Sequence, residues 1–167
     1  MICLDRVSRY ALCLVATVLV LLVQWTAAPG AMADDYTKSF LARSDFSNRD
    51  MTDSGFAHAN LRESNLAGAN LKGVTFFGAN LESVDLTGAN LTNSTLDSAR
   101  VTGANLTNAI LEGAFAFNAK FNGATIDGAD FTDVQLRSDQ QIMLCQVAKG
   151  TNPITQRETR ETLMCDD

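Results

Sequence analysis

Large apolar positions recur along this chain with a period of five, and the rhythm holds for nineteen consecutive cycles. From Phe46 to Leu136 every fifth residue is large and apolar, Ala116 excepted: ten Leu, five Phe, and Met51, Val101 and Ile126. Two residues before each centre the side chain is small or apolar, with eleven Ala, four Ser and three Val; Arg49 is the single departure. Residues 59–61, 69–71, 79–81, 89–91 and 104–106 all read Ala-Asn-Leu. An internal repeat of this regularity decides architecture, and such repeats build surfaces more readily than reaction centres.

A period of five matches neither the helical repeat of about 3.6 nor the strand repeat of about 2. Within Ala69-Asn70-Leu71-Lys72-Gly73, the first and third residues point to one side, as in a short extended segment, and the fifth turns the chain. That fifth position is Gly in eight repeats, at 68, 73, 78, 88, 103, 113, 123 and 128, and Gly takes tight corners that a Cβ resists. Four corners close a square, so 20 residues form one coil. The sequence therefore predicts an all-β solenoid of nearly five coils, stacked at a strand spacing of about 4.8 Å. One side stacks Phe46, Leu66, Leu86, Leu106 and Ile126; the next stacks Met51, Leu71, Leu91, Leu111 and Phe131. The other two stack Phe56, Phe76, Leu96, Ala116 and Leu136, and Leu61, Leu81, Val101 and Phe121. Burial of each large centre contributes about 1.5–3 kcal/mol.

The motif Ala-(Asn/Asp)-Leu-x-Gly and its variants, running over residues 44–138, resemble the pentapeptide-repeat proteins. That resemblance implies a right-handed quadrilateral β-helix, the handedness coming from the family and not from the spacing. Arg49 and Ala116 depart from the pattern. Arg49 falls in the first coil, where its guanidinium is expected to reach water, and Phe121 is expected to compensate for the small Ala116.

Past Gln135 the rhythm stops. Ser138 with Gln141 reads as a capping box opening a helix over 139–149, with Gly150 as its stop and Ile142, Leu144, Cys145 and Ala148 as its buried face. Asn152-Pro153 marks a turn, and Thr155 with Glu158 suggests a second capped helix ending near Cys165. Residues 138–167 are thus expected to form a small C-terminal α-helical cap over the last coil of a β-helix spanning 34–137, covering an edge that invites self-association.

The first 33 residues follow another logic. Arg6 and Arg9 precede an apolar run from Ala11 to Val23, and Ala31-Met32-Ala33 is a small-residue cleavage site. That is the pattern of a secretory signal peptide over 1–33, the run being short against the roughly 20 residues of a membrane span. Cys13 lies within the apolar run, which argues against a lipid-anchored cysteine. Of 13 basic and 19 acidic residues, loss of Arg6, Arg9 and Asp5 leaves 11 and 18, a net charge of −7. An acidic surface disfavours nucleic acid and anionic membrane as partners. Cys145 and Cys165 are the cysteines that stay after cleavage, and an oxidising compartment makes their disulfide the expected state.

The run Cys145, Gly150-Thr151-Asn152-Pro153, Thr159-Arg160-Glu161 and Cys165 resembles the tail of the lumenal pentapeptide-repeat proteins of cyanobacteria and chloroplast thylakoids. With the leader, it implies a thylakoid-lumen or periplasmic location.

Little in the chain suggests reaction chemistry. His58, the sole histidine, sits at an outward turn without a second histidine to share a metal. Asp45, Asp50, Asp85 and Asp130 are placed outward among Asn60, Asn65, Asn70, Asn80, Asn90 and Asn105, where they satisfy backbone groups or one another rather than act as paired acid and base. The glycines lack the strand-to-helix setting of a phosphate loop. No catalytic residue, metal ligand or cofactor is expected. One surface feature stands out: Phe77 and Phe117 occupy the same outward slot forty residues apart, with Asp97 between them and Phe115 at the other outward slot of that side. Exposed apolar groupings mark partner sites; the competing expectation is that Phe115 or Phe117 folds inward over Ala116.

The expected function is a non-enzymatic exported protein-interaction or structural module, docking an unidentified lumenal or periplasmic protein, with no nucleic acid partner and no stable membrane insertion after cleavage. Two other expectations stand beside it. Some cytoplasmic members of the resembled family mimic B-form DNA and protect DNA gyrase, a reading the acidic charge fits and the leader opposes. The second is a lumenal binding protein regulated through the redox state of Cys145 and Cys165.

Overall fold

The computed structural model describes residues 34–165, so the leader proposed over 1–33 lies outside the described residues. Residues 35–135 form a coil in which each side pairs with the one 20 residues on: seventeen parallel bridges run from Asp35↔Gly55 to Phe115↔Gln135. The ladder begins before the rhythm becomes legible at Phe46. Tyr36 and Leu41 already hold centre positions, and Tyr36 stacks on Phe56 at 4.8 Å as Phe56 stacks on Phe76 at 5.3 Å.

Why the period is five becomes clear from one repeat, Asn65-Leu66-Ala67-Gly68-Ala69. The Asn65 N–H donates to Ser44 in the preceding coil, and the N–H groups of Leu66 and Gly68 donate to Asp85 and Thr87 in the following one. Ala69 N–H closes a tight turn on the Leu66 carbonyl at 3.1 Å. The remaining N–H, that of Ala67, donates to the Asn65 side chain at 3.0 Å. All five donors are thus satisfied, which is what burial against a neighbouring coil demands. Asn or Asp recurs before the centre because its short side-chain oxygen reaches the N–H two residues on; Asp45, Asn60, Asn80, Asp85, Asn90 and Asn105 do the same.

The third turn residue takes positive φ at Gly68, and also at Asp53, His58 and Asn93. At Gly78 a glycine is required for space as well: a Cβ there would lie 2.6 Å from His58 Nδ1. Inside the coil the centres from Phe56 to Leu111 are sealed from solvent, with Ala, Val and Ser beneath them. Ala116 is fully buried too, and Phe121 packs edge-on against Phe131 at 6.3 Å. Arg49 is exposed, its guanidinium 5.5 Å over the Phe46 ring.

The C-terminal segment departs from expectation in detail. Helix α1 spans Ser138–Cys145 and α2 spans Thr159–Thr162, both shorter than the sequence suggested. The capping box does not form: Arg137 is the N-cap, without a side-chain cap bond, and the Gln141 side chain instead donates to the Leu163 carbonyl at 2.7 Å. Between the helices, Thr151 and Glu158 pair antiparallel. The expected buried face of α1 is also corrected. Leu144 and Ala148 are buried, but Ile142 is 64% exposed and Gln140 is buried in its stead. Gln140 goes in because the last coil needs an acceptor, which it supplies to Phe121 N–H. Gly128 N–H likewise meets the Lys149 carbonyl, and Phe131 N–H meets Thr162 Oγ1.

Asp130, expected outward, is fully buried. The C-terminal segment lies over it: Arg157 Nε stands 3.0 Å from its Oδ2, and another arm of the same guanidinium reaches Glu112 at 2.5 Å. Burial pushes the Asp130 carboxyl up, but hydrogen bonds from the Thr132 N–H and hydroxyl and the Arg157 charge outweigh it and hold it below the usual carboxylate range. Nearby, Asn152 Nδ2 donates to the carbonyls of Asn108, Ala109 and Gly128. Cys145 and Cys165 are joined by a disulfide, their Cα atoms 5.6 Å apart, and Arg160 donates to the Cys145 carbonyl.

Candidate functional site

The side of the coil with centres Tyr36, Phe56, Phe76, Leu96, Ala116 and Leu136 presents all three phenylalanines singled out by the sequence. Phe77, Phe115 and Phe117 are 41%, 48% and 55% exposed, so neither Phe115 nor Phe117 folds over Ala116. The Phe77 carbonyl accepts from His58 N–H at 2.8 Å, and the His58 ring stands edge-on to the Phe77 ring at 5.4 Å. Phe115 is set by ladder bridges to Thr95 and Gln135.

Phe117 is held by a different device. In the turns from Lys38 to Asp133 the third residue has positive φ, with Asn118 as the exception. Its N–H would normally donate forward to the carbonyl nineteen residues on, that of Arg137. That carbonyl is occupied, accepting from the N–H groups of Gln140 and Gln141 where α1 begins. The Asn118 backbone N–H and Nδ2 turn back instead, and both donate to Asp97 Oδ1, at 3.0 and 3.1 Å. Asp97 thereby clamps the turn that carries Phe117. Sequence placed Asp97 between the phenylalanines but did not find this clamp, because the displaced acceptor depends on where the coil ends.

The other candidate positions have structural employment. His58 is exposed on its turn. Asp50 accepts from the hydroxyl and backbone N–H of Thr52 and from Asn70 Nδ2, and these bonds lower its carboxyl below the ordinary value. Among the described residues there is no group of three or more His, Cys, Asp or Glu placed to hold a metal, and no helix long and apolar enough to cross a membrane. A cleft between the coil and the C-terminal segment is lined by Phe131, Asp133, Val134, Leu136, Gln141, Thr162, Leu163 and Met164, a mixture of apolar and polar groups.

A structural relative from the Arabidopsis thaliana thylakoid lumen, a pentapeptide repeat protein, is 41% identical to this chain, with 82% of this chain and 88% of the relative covered and a TM-score of 0.56. The chain belongs to the pentapeptide-repeat proteins. A family profile described as a pentapeptide repeat region matches residues 49–131. A pentapeptide repeat protein from Nostoc Pcc 7120 is 30% identical, with 72% of this chain and 95% of that one covered and a TM-score of 0.54. A curated relative, the chloroplastic thylakoid lumenal 15 kDa protein 1 of Arabidopsis thaliana, is 59% identical over 39 residues, or 23% of this chain. The match spans 17% of that relative's length. The 20-residue ladder described above is this family's β-helix, and the pentapeptide motif places Phe77, Phe115 and Phe117 on one of its sides.

Proposed function

We propose that this pentapeptide-repeat protein is a non-enzymatic, exported docking module of the thylakoid lumen or the periplasm. In this reading, residues 1–33 are a cleaved leader, 34–137 a right-handed β-helix of nearly five coils, and 138–167 a disulfide-pinned cap. The observation that carries it is the phenylalanine side: three exposed rings on one face, two of them in the same slot, on a backbone laddered to the coils before and after it. A rigid backbone lowers the ordering cost of association, and large exposed rings supply contact area. The lumenal location draws support from relatives found there.

The test is crosslinking capture of the tagged full chain in its native host, comparing wild type with a Phe77→Ser, Phe117→Ser double variant by quantitative mass spectrometry. Lumenal or periplasmic partners held by wild type and lost by the variant are the expected result. Partners retained equally by both would remove this side from the function.

A further inference from the structure

We propose that the phenylalanine side and the basic side adjoining it together dock an acidic protein segment that carries an apolar side chain, with Arg100 and Lys120 receiving its carboxylates. The inference rests on the docking reading above and adds the chemistry of the partner.

The chain as a whole is acidic, with 19 acidic against 13 basic residues, yet the ladder sorts its charges unevenly. The side with centres Leu41, Leu61, Leu81, Val101 and Phe121 carries Arg43, Arg62, Arg100 and Lys120 against Glu63 and Glu82. On each of the other three sides, over residues 34–138, acidic residues outnumber basic ones. Along the basic side the two glutamates are engaged near its start. Arg43 Nε lies 2.7 Å from Glu63, and Arg62 lies 3.4 Å from Glu63 and 3.7 Å from Glu82. Arg100 reaches Glu82 only at 4.0 Å and keeps its side chain 65% exposed. Lys120, exposed as well, is bridged to Arg100 in the ladder.

This cationic end meets the phenylalanines at one corner. The chain turns from Ala116 to Ala119, closed by a 3.1 Å hydrogen bond, with Phe117 entering the turn and Lys120 leaving it. Two like charges on adjacent rungs, about 4.8 Å apart along the stack, are both relieved by a carboxylate placed between them. The neighbouring rings offer apolar area to the same segment. The acidic remaining sides repel such a partner, so its approach is steered to this corner. A planar anionic membrane fits less well, because it would bring the acidic sides against its own charge.

The test places p-benzoylphenylalanine at Phe117 in the full chain, expressed in the native host, and irradiates the exported fraction at about 50 and about 500 mM salt. The crosslinked peptide is expected to be rich in Asp and Glu around an apolar residue. Its yield is expected to fall about fivefold at high salt and about fivefold in an Arg100→Glu, Lys120→Glu double variant with unchanged circular dichroism, but not in Lys72→Glu, an exposed position on the side centred on Leu71. A protein crosslink that resists salt and charge reversal, or that lies in a segment without acidic residues, overturns the acidic partner and leaves the docking reading standing. Lipid adducts overturn it in favour of a membrane surface. No crosslink from Phe117 in wild-type background overturns both.

Discussion

The backbone N–H of Phe121 donates to the side-chain carbonyl of Gln140 across 3.0 Å. One and two coils earlier on the same side, Val101 and Leu81 donate to the backbone carbonyls of Lys120 and Arg100, nineteen residues on in each case. The residue nineteen past Phe121 is Gln140 itself, but its backbone belongs to α1. Its side chain supplies the carbonyl that the missing coil would have supplied.

Replacing Gln140 by Leu keeps a buried apolar volume and leaves that N–H without an acceptor, a loss of about 1–3 kcal/mol. The expected outcome is a lower urea midpoint together with faster hydrogen exchange at Phe121. Unchanged exchange there would mean that water or another group closes the coil end equally well.

The His58–Gly78 contact separates crowding from backbone strain. Gly78 and Gly88 have φ of +63° and +64°, but a Cβ on Gly88 meets nothing within 4 Å while one on Gly78 meets His58. Gly88→Ala is expected to cost about 1–2 kcal/mol from the left-handed conformation alone, and Gly78→Ala measurably more. Adding His58→Ala to Gly78→Ala should remove the excess, as read by thermal unfolding of the four proteins.

Asp130 makes attachment of the C-terminal segment sensitive to acid. Its carboxyl is held below the ordinary value in the folded chain, so the folded state binds the proton less readily than the unfolded one. Its stabilising contribution is complete above the unfolded pKa near about 4 and is lost as pH falls through the lower folded value. Denaturation midpoints for wild type should drop as pH is taken below about 4. Asp130→Asn should start lower at neutral pH and fall less over that acid range.

Cys145 and Cys165 are 20 residues apart in sequence, and closing a loop of that size stabilises by about 3 kcal/mol. Reduction, or a Cys145→Ser, Cys165→Ser double variant, should destabilise by that order. Exchange is expected to rise first in 138–165, with protection kept in the central coils around Leu71 to Leu91, where each repeat is paired on both sides. Uniform loss of protection along the coil would show the C-terminal segment and the coil unfolding as one unit.

The centres, the small residues beneath them and the 20-residue columns were legible because each depends on residues within a few positions along the chain. So were the slots of Phe77, Phe115 and Phe117. The reading failed where a residue's surroundings come from distant chain. Asp130 shares the outward slot of Asn70 and Asn90, yet Arg157 and Asn152 lie over its part of the coil. Ser138 and Gln141 have the spacing of a capping box, but Leu163 takes the Gln141 side chain. Ile142 falls on the helical stripe that should be buried, and a polar neighbour displaces it.

By itself the sequence determined the period, the corners and the contents of the core, since a five-residue unit pairs with the units 20 residues before and after it in the same way along the coil. Tertiary structure decided the exceptions: that Gln140 closes the last coil, that Asn118 turns back to Asp97, and that Arg157 covers Asp130. Each arises where the repeating unit loses its next neighbour or where the C-terminal segment lies over it, and neither circumstance is written in any single repeat.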